Sequence, residues 1–121
     1  MSNKQKLPNA TAAHVEEKKV VSYLLDLAHP IGGSKARFFL GRGFSAADWE
    51  GFADALRHHA RTRPVTRIKS TPFATNYSLD CHLPTPDRSS PCIRTVWEIR
   101  PDDPRPRLIT AHPLPDERAA G

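Results

Sequence analysis

A chain of 121 residues makes one domain, since halves of it would be too small to bury cores of their own. Its 18 Lys and Arg outnumber 13 Asp and Glu, a net charge of +5 that favours a phosphate-bearing partner and says nothing of fold. No apolar run approaches the ~20 residues of a membrane span, and two cysteines cannot make a disulfide scaffold or a four-cysteine zinc site.

Met1 to Leu7 is polar and lysine-bearing, without the apolar stretch of a Sec signal peptide, so a cytoplasmic protein with no membrane partner is expected. Residues 1–14 read as an irregular segment, 15–114 as a single α+β domain, and 115–121 as a flexible tail. Val15 to Ala28 predicts the first helix, with Val20, Tyr23, Leu24 and Leu27 on one stripe and Glu16 and Glu17 at the positive end of the dipole. His29-Pro30 ends it, because the residue before proline resists the α region. Gly32-Gly33-Ser34 offers a turn and an N-cap to a short helix over Lys35–Leu40. Ser45-Ala46-Ala47-Asp48 resembles a capping box and opens a third helix running to about Arg61, with Trp49, Phe52, Ala53 and Leu56 as its buried stripe.

From Val65 the period changes to two. Val65–Lys69 predicts a short edge strand guarded by basic residues. Phe73, Thr75, Tyr77, Leu79, Cys81 and Leu83 alternate with polar residues in a second strand, Cys92 to Arg100 forms a third, and Leu108 to His112 a fourth. Pro84–Ser90 and Pro101–Pro106 are short enough for hairpin loops. The expected fold is therefore α+β: three N-terminal helices, then a four-stranded antiparallel meander with the helices packed on one face.

The apolar pattern also predicts the register, because a slip of one residue turns a strand inside out. Tyr77 falls opposite Trp97, Leu79 opposite Thr95, Trp97 opposite Ile109 and Thr95 opposite Ala111. The other face then gathers Asp80, His82, Arg94, Thr110 and His112, with Asp80 and His112 both beside Arg94 and Val96 beside Thr110. Cys81 falls on the core face and Cys92 on the other, so no disulfide between them is expected. On periodicity alone the plainer view is a solvated face, with Asp80–Arg94 an ordinary cross-strand ion pair.

Four blocks in order, Lys6-Leu7-Pro8-Asn9-Ala10, His29-Pro30-Ile31-Gly32-Gly33-Ser34-Lys35-Ala36-Arg37-Phe38-Phe39, Arg94-Thr95-Val96-Trp97 and Pro106-Arg107-Leu108-Ile109-Thr110-Ala111, carry a resemblance over residues 6 to about 114. The chain resembles a small bacterial family of unknown function whose members occur alone or as C-terminal modules of polymorphic toxins. The layout is similar to the barnase, EndoU, colicin and RelE-like nuclease fold. His112 departs from the family pattern, which usually has tyrosine there.

The resemblance implies a toxin-like endoribonuclease working without metal or other cofactor. Such chemistry needs a base for the 2′-hydroxyl, an acid for the leaving oxygen and cations for the phosphorane. His112 and Arg94 are the central candidates, with Lys35, Thr110 and His29 in support; His29 could equally be a helix-terminating residue. Residues 35–69 hold eight Lys or Arg against three acids, and Arg37, Arg57, Arg61, Arg63 and Arg67 are candidate nucleic-acid contacts. His58 and His59, set among arginines, read as part of a solvated basic face, and no ligand spacing suggests a metal site. The aromatic residues fit the core, so no stacking platform is expected. RNA is the expected partner, and a toxic domain would require a cognate inhibitor protein. The alternative is a non-catalytic module that binds nucleic acid or protein through the basic region 35–69.

Overall fold

A computed structural model describes residues 5–114; the expected tail at 115–121 lies outside the described residues. The fold is α+β, helices first and a four-stranded antiparallel sheet after. Helix α1 (Glu17–Lys19) is a single turn that widens at once into a π-helical turn, Val20–Leu24, closed by the Leu25 amide donating to the Val20 carbonyl at 2.8 Å. The expected regular helix to Ala28 is absent. Val20, Leu24 and Leu25 of this wider turn all face inward. Leu27, expected on the buried stripe, is 60% exposed.

Helix α2 spans Gly33–Gly41 with Gly32, not Ser34, at its N-cap. A Cβ at Gly32 would stand 2.7 Å from the Tyr23 carbonyl, so the glycine permits the helix start to press against the π turn. Helix α3 spans Trp49–Thr62 and begins one turn later than the capping box suggests. Ser45 Oγ accepts from the Asp48 amide, and Asp48 Oδ1 in turn caps the Gly51 amide, each at 3.2 Å.

Strands β1 (Val65–Ser70), β2 (Thr75–His82), β3 (Cys92–Arg100) and β4 (Asp103–Pro113) follow in spatial order 1-2-3-4. The expected register holds at Tyr77–Trp97, Leu79–Thr95, Asp80–Arg94, Arg94–His112, Thr95–Ala111 and Val96–Thr110. It fails at Trp97, which faces Leu108 rather than Ile109, because a bulge puts an extra residue into β4. The bulge lets Leu108 and Ala111 both enter the core. β4 also starts earlier than expected, passing through Pro104 and Pro106, as an edge strand can. Phe73, expected within β2, stands outside it and is 81% exposed.

Cys81 and Cys92 form a disulfide, contrary to the face argument, although the register behind that argument is right. The two are diagonal neighbours where the β2–β3 ladder ends, their Cα atoms only 4.1 Å apart, so strict alternation of faces no longer keeps the side chains apart.

The core unites Leu79, Ile93, Trp97, Leu108 and Ala111 of the sheet with Val20, Leu24, Phe39, Phe52 and Leu56 of the helical half. Leu7, Ala13 and Val15 also belong to it. His59 is fully buried rather than part of a solvated face. The Trp97 indole N–H donates to Thr95 Oγ1 at 2.8 Å, and Thr95 in turn lies 3.0 Å from His59 Nδ1. With its oxygen taken by the indole, the Thr95 hydroxyl donates to Nδ1, and His59 Nε2–H donates to the Cys81 carbonyl at 3.1 Å. Among the described residues no helix is long and apolar enough to cross a membrane.

Candidate functional site

Three elements bring polar side chains together beside the β4 edge. Tyr23 comes from the π turn, Lys35 from the first turn of α2, and Thr110 from β4. Lys35 Nζ donates to Tyr23 Oη at 2.5 Å and to Thr110 Oγ1 at 3.1 Å, and the two hydroxyls lie 3.2 Å apart. Lys19 Nζ stands 5.2 Å from the centre of the Tyr23 ring. Burial pushes the Tyr23 phenol up, but hydrogen bonds from Lys35 and Thr110 and the charges of Lys35 and Lys19 outweigh it and leave the group below its ordinary value. Among the described residues no ion pair engages Lys35.

His29 packs edge-on against Tyr23, ring centres 5.0 Å apart. Its Nδ1 accepts from the amides of Ile31 at 3.0 Å and Gly32 at 2.9 Å, which satisfies donors at the start of α2 and assigns the ring proton to Nε2. His29 thus stands where one segment ends and α2 begins, with its ring against Tyr23. Tyr23 and His29 line a cleft of about 450 Å³ together with Glu16, Lys18, Lys19 and Ser22.

On the other side of Thr110, His112 lies two residues along the same strand face, roughly 7 Å away. Its Nδ1 is 3.1 Å from the Pro113 carbonyl, an acceptor only, so Nδ1 carries the proton and neutral His112 presents a free lone pair at Nε2. Arg94, across the ladder from His112, is gripped by Asp80 through Nε at 2.9 Å and Nη2 at 3.0 Å, and its pKa is raised by that pairing.

The sequence candidates thus fall into two adjoining groups, Lys35–Thr110–His29 and His112–Arg94. Tyr23 joins the first group without having been expected there, because helical spacing assigned it to the core stripe. The arginines expected to bind nucleic acid are spread over three elements. Arg37 is exposed on α2, Arg61 on α3 and Arg67 on β1, Arg57 is paired with Asp54, and Arg63 holds a buried Nε without a hydrogen-bond partner. Among the described residues no three His, Cys, Asp or Glu side chains converge as a metal site would need.

Comparison with curated proteins and with solved structures finds no match. A family model does match, over residues 6–115, so all of Tyr23, His29, Lys35, Arg94, Thr110 and His112 lie within it. The chain belongs to the family described as a domain of unknown function, DUF6883.

Proposed function

We propose that the domain is a toxin-like endoribonuclease that cleaves by internal transfer, with Lys35, Tyr23 and Thr110 binding the scissile phosphate. The observation that carries this reading is the convergence of these three side chains within hydrogen-bond distance from three separate elements, with no ion pair to the lysine among the described residues. Lys35, Thr110 and the His29 Nε2–H serve the non-bridging oxygens, where charge grows in the transition state. His112 Nε2 takes the 2′-hydroxyl proton as the 2′-oxygen bonds to phosphorus. The bond from phosphorus to the 5′-oxygen then breaks, and the Tyr23 hydroxyl protonates that oxygen while Lys35 holds the phenolate. The products are a 2′,3′-cyclic phosphate and a 5′-hydroxyl. Arg94 retains N–H groups beyond those given to Asp80 and supports the phosphate from the His112 side. The face bearing Arg94, Thr110 and His112 receives the substrate.

The Cys81–Cys92 bond favours exposure of this domain to an oxidising compartment over the cytoplasm expected from its N-terminus. A cognate inhibitor that covers Lys35 and His112 fits the same reading.

The test is incubation of the purified protein with single-stranded RNA in EDTA, with products resolved for the cyclic phosphate. Tyr23→Phe and His112→Ala are expected to lower kcat by roughly 10²-fold or more while the protein stays folded. RNA left intact by the wild-type protein, or cleaved equally by both variants, overturns the proposal. Exposed Arg37, Arg61 and Arg67 favour a second reading, a binding module whose salt-sensitive association survives His112→Ala.

A further inference from the structure

Arg67 pairs with Ser78, Ser78 with Val96, and Val96 with Thr110, so one straight row crosses the sheet from β1 to the candidate site. Cross-strand partners share a face, which puts Arg67 and Thr110 on the same side, three strand spacings or roughly 14 Å apart. A parallel row places Lys69, through Asn76 and Glu98, on that side as well. Among the described residues the carboxylates that the register puts on this side are already held, Asp80 by Arg94, Glu98 by Arg100 and Asp103 by Arg105. Arg67 and Lys69 are exposed, and among the described residues no ion pair engages either.

At the tip of the same hairpin stands Phe73, 81% exposed. The turn that carries it is closed by hydrogen bonds. Thr71 Oγ1 accepts from the amides of Phe73 at 3.2 Å and Ala74 at 3.1 Å, the Thr71 amide donates to the Ala74 carbonyl at 2.8 Å, and Ala74 is buried. An aromatic ring held out on a fixed turn loses little entropy on binding, and every nucleobase offers a π face to it.

We propose that the β1–β2 hairpin is a binding subsite for single-stranded RNA, with Phe73 stacking on a base and Arg67 and Lys69 holding phosphates, at the far end of a track a few nucleotides long that begins at Thr110. The track rests on the reading of Lys35, Tyr23 and Thr110 as the reactive centre, whereas the stacking subsite has its own observations. Positive charge together with a protruding flat ring matches a single strand better than a duplex, whose bases are already stacked.

The test is fluorescence anisotropy with a short labelled 2′-O-methyl oligonucleotide, which binds without being cleaved, alongside cleavage of the matching RNA. Phe73→Ala is expected to weaken binding of the single strand roughly ten-fold, Phe73→Trp to retain it, and both to leave duplex binding unchanged. Arg67→Ala with Lys69→Ala lowers the slope of log affinity against log salt by roughly 1.4, the release of two counterions from a single strand. Wild-type protein that fails to bind the oligonucleotide, or variants that bind it as the wild type does, overturn the subsite even if RNA is cleaved. Binding through Phe73 by a protein that cleaves no RNA sustains the subsite and removes the catalytic reading. Binding of polyglutamate instead of the oligonucleotide, abolished by the Arg67 and Lys69 changes, replaces RNA with an acidic protein and equally overturns it.

Discussion

What surrounds Tyr23 depends on where its oxygen ends. The spacing that puts Tyr23 in line with Val20, Leu24 and Leu27 reports which way the side chain points, not how deep its tip lies, and a phenol can have a packed ring and a polar end elsewhere. Here the ring is flanked by His29 and the oxygen meets Lys35 and Thr110. The strand register places Thr110 on the polar face, but Lys35 and His29 become candidates only through the resemblance, since nothing in local periodicity brings residues 29, 35 and 110 together. The phenol offers a direct check that does not depend on activity. The chain has two tyrosines, so in Tyr77→Phe the ultraviolet titration reports Tyr23 alone. It should ionise below the ordinary value of 10.0, and Lys35→Met should move the transition upward by removing both a hydrogen bond and a charge. A transition at or above 10.0 that ignores the Lys35 change would contradict the geometry.

Among the elements, the strands were legible and the helices less so. Alternation over β2 and β3 marks the register because a slip of one residue would turn Leu79 away from the face that holds Ile93 and Trp97. The bulge at Ile109 and the π turn were not legible, for each inserts a residue without disturbing composition or local spacing. His59 was misjudged because Arg57, Arg61 and Arg63 suggest solvent, whereas its position three residues beyond Leu56 turns it onto the sheet. That buried imidazole predicts an acid-sensitive join between α3 and the β2–β3 hairpin. Desolvation lowers its pKa from 6.5 to about 4. Between those values the unfolded chain binds a proton that the folded one refuses, so stability is complete above 6.5 and falls as the pH drops toward 4. The loss amounts to up to about 3 kcal/mol at 1.36 kcal/mol per unit. Asp87 and Asp103, held down to about 2 mainly by hydrogen bonds from Thr85 and Arg105 respectively, lose their contributions only below 3.8, outside this window. Urea unfolding at about pH 7 and about pH 4.5 measures the slope. His59→Gln should be less stable at neutral pH and nearly flat across the window; a slope equal to that of the wild type would assign the acid sensitivity to other groups.

At the scale of the whole molecule, the chain ahead of α1 binds the two edges of the sheet to each other. The Val65 amide at the start of β1 donates to the Gln5 carbonyl, and His14 pairs with β4, its amide donating to Pro106 and its carbonyl accepting from Leu108. Between these ends Leu7 and Ala13 enter the core, and Asn9 donates to the Pro104 carbonyl. Such a strap escapes pattern reading because it has no period, only Leu7 and Ala13 spaced to suit a surface that forms later in the chain. It covers the edge of β4, the strand that carries Thr110 and His112, around Arg107, and an uncovered edge there would invite pairing with another chain. Leu7→Ala, at a residue 3% exposed, should therefore cost about 2–5 kcal/mol. Hydrogen exchange should localise the effect: the Leu108 amide, bonded to His14, gains exchange by local opening, while amides in the β2–β3 ladder follow global stability alone. If Leu7→Ala leaves both stability and the Leu108 amide unchanged, the segment merely lies on the domain, and the support of β4 comes from α2 and Lys35 instead.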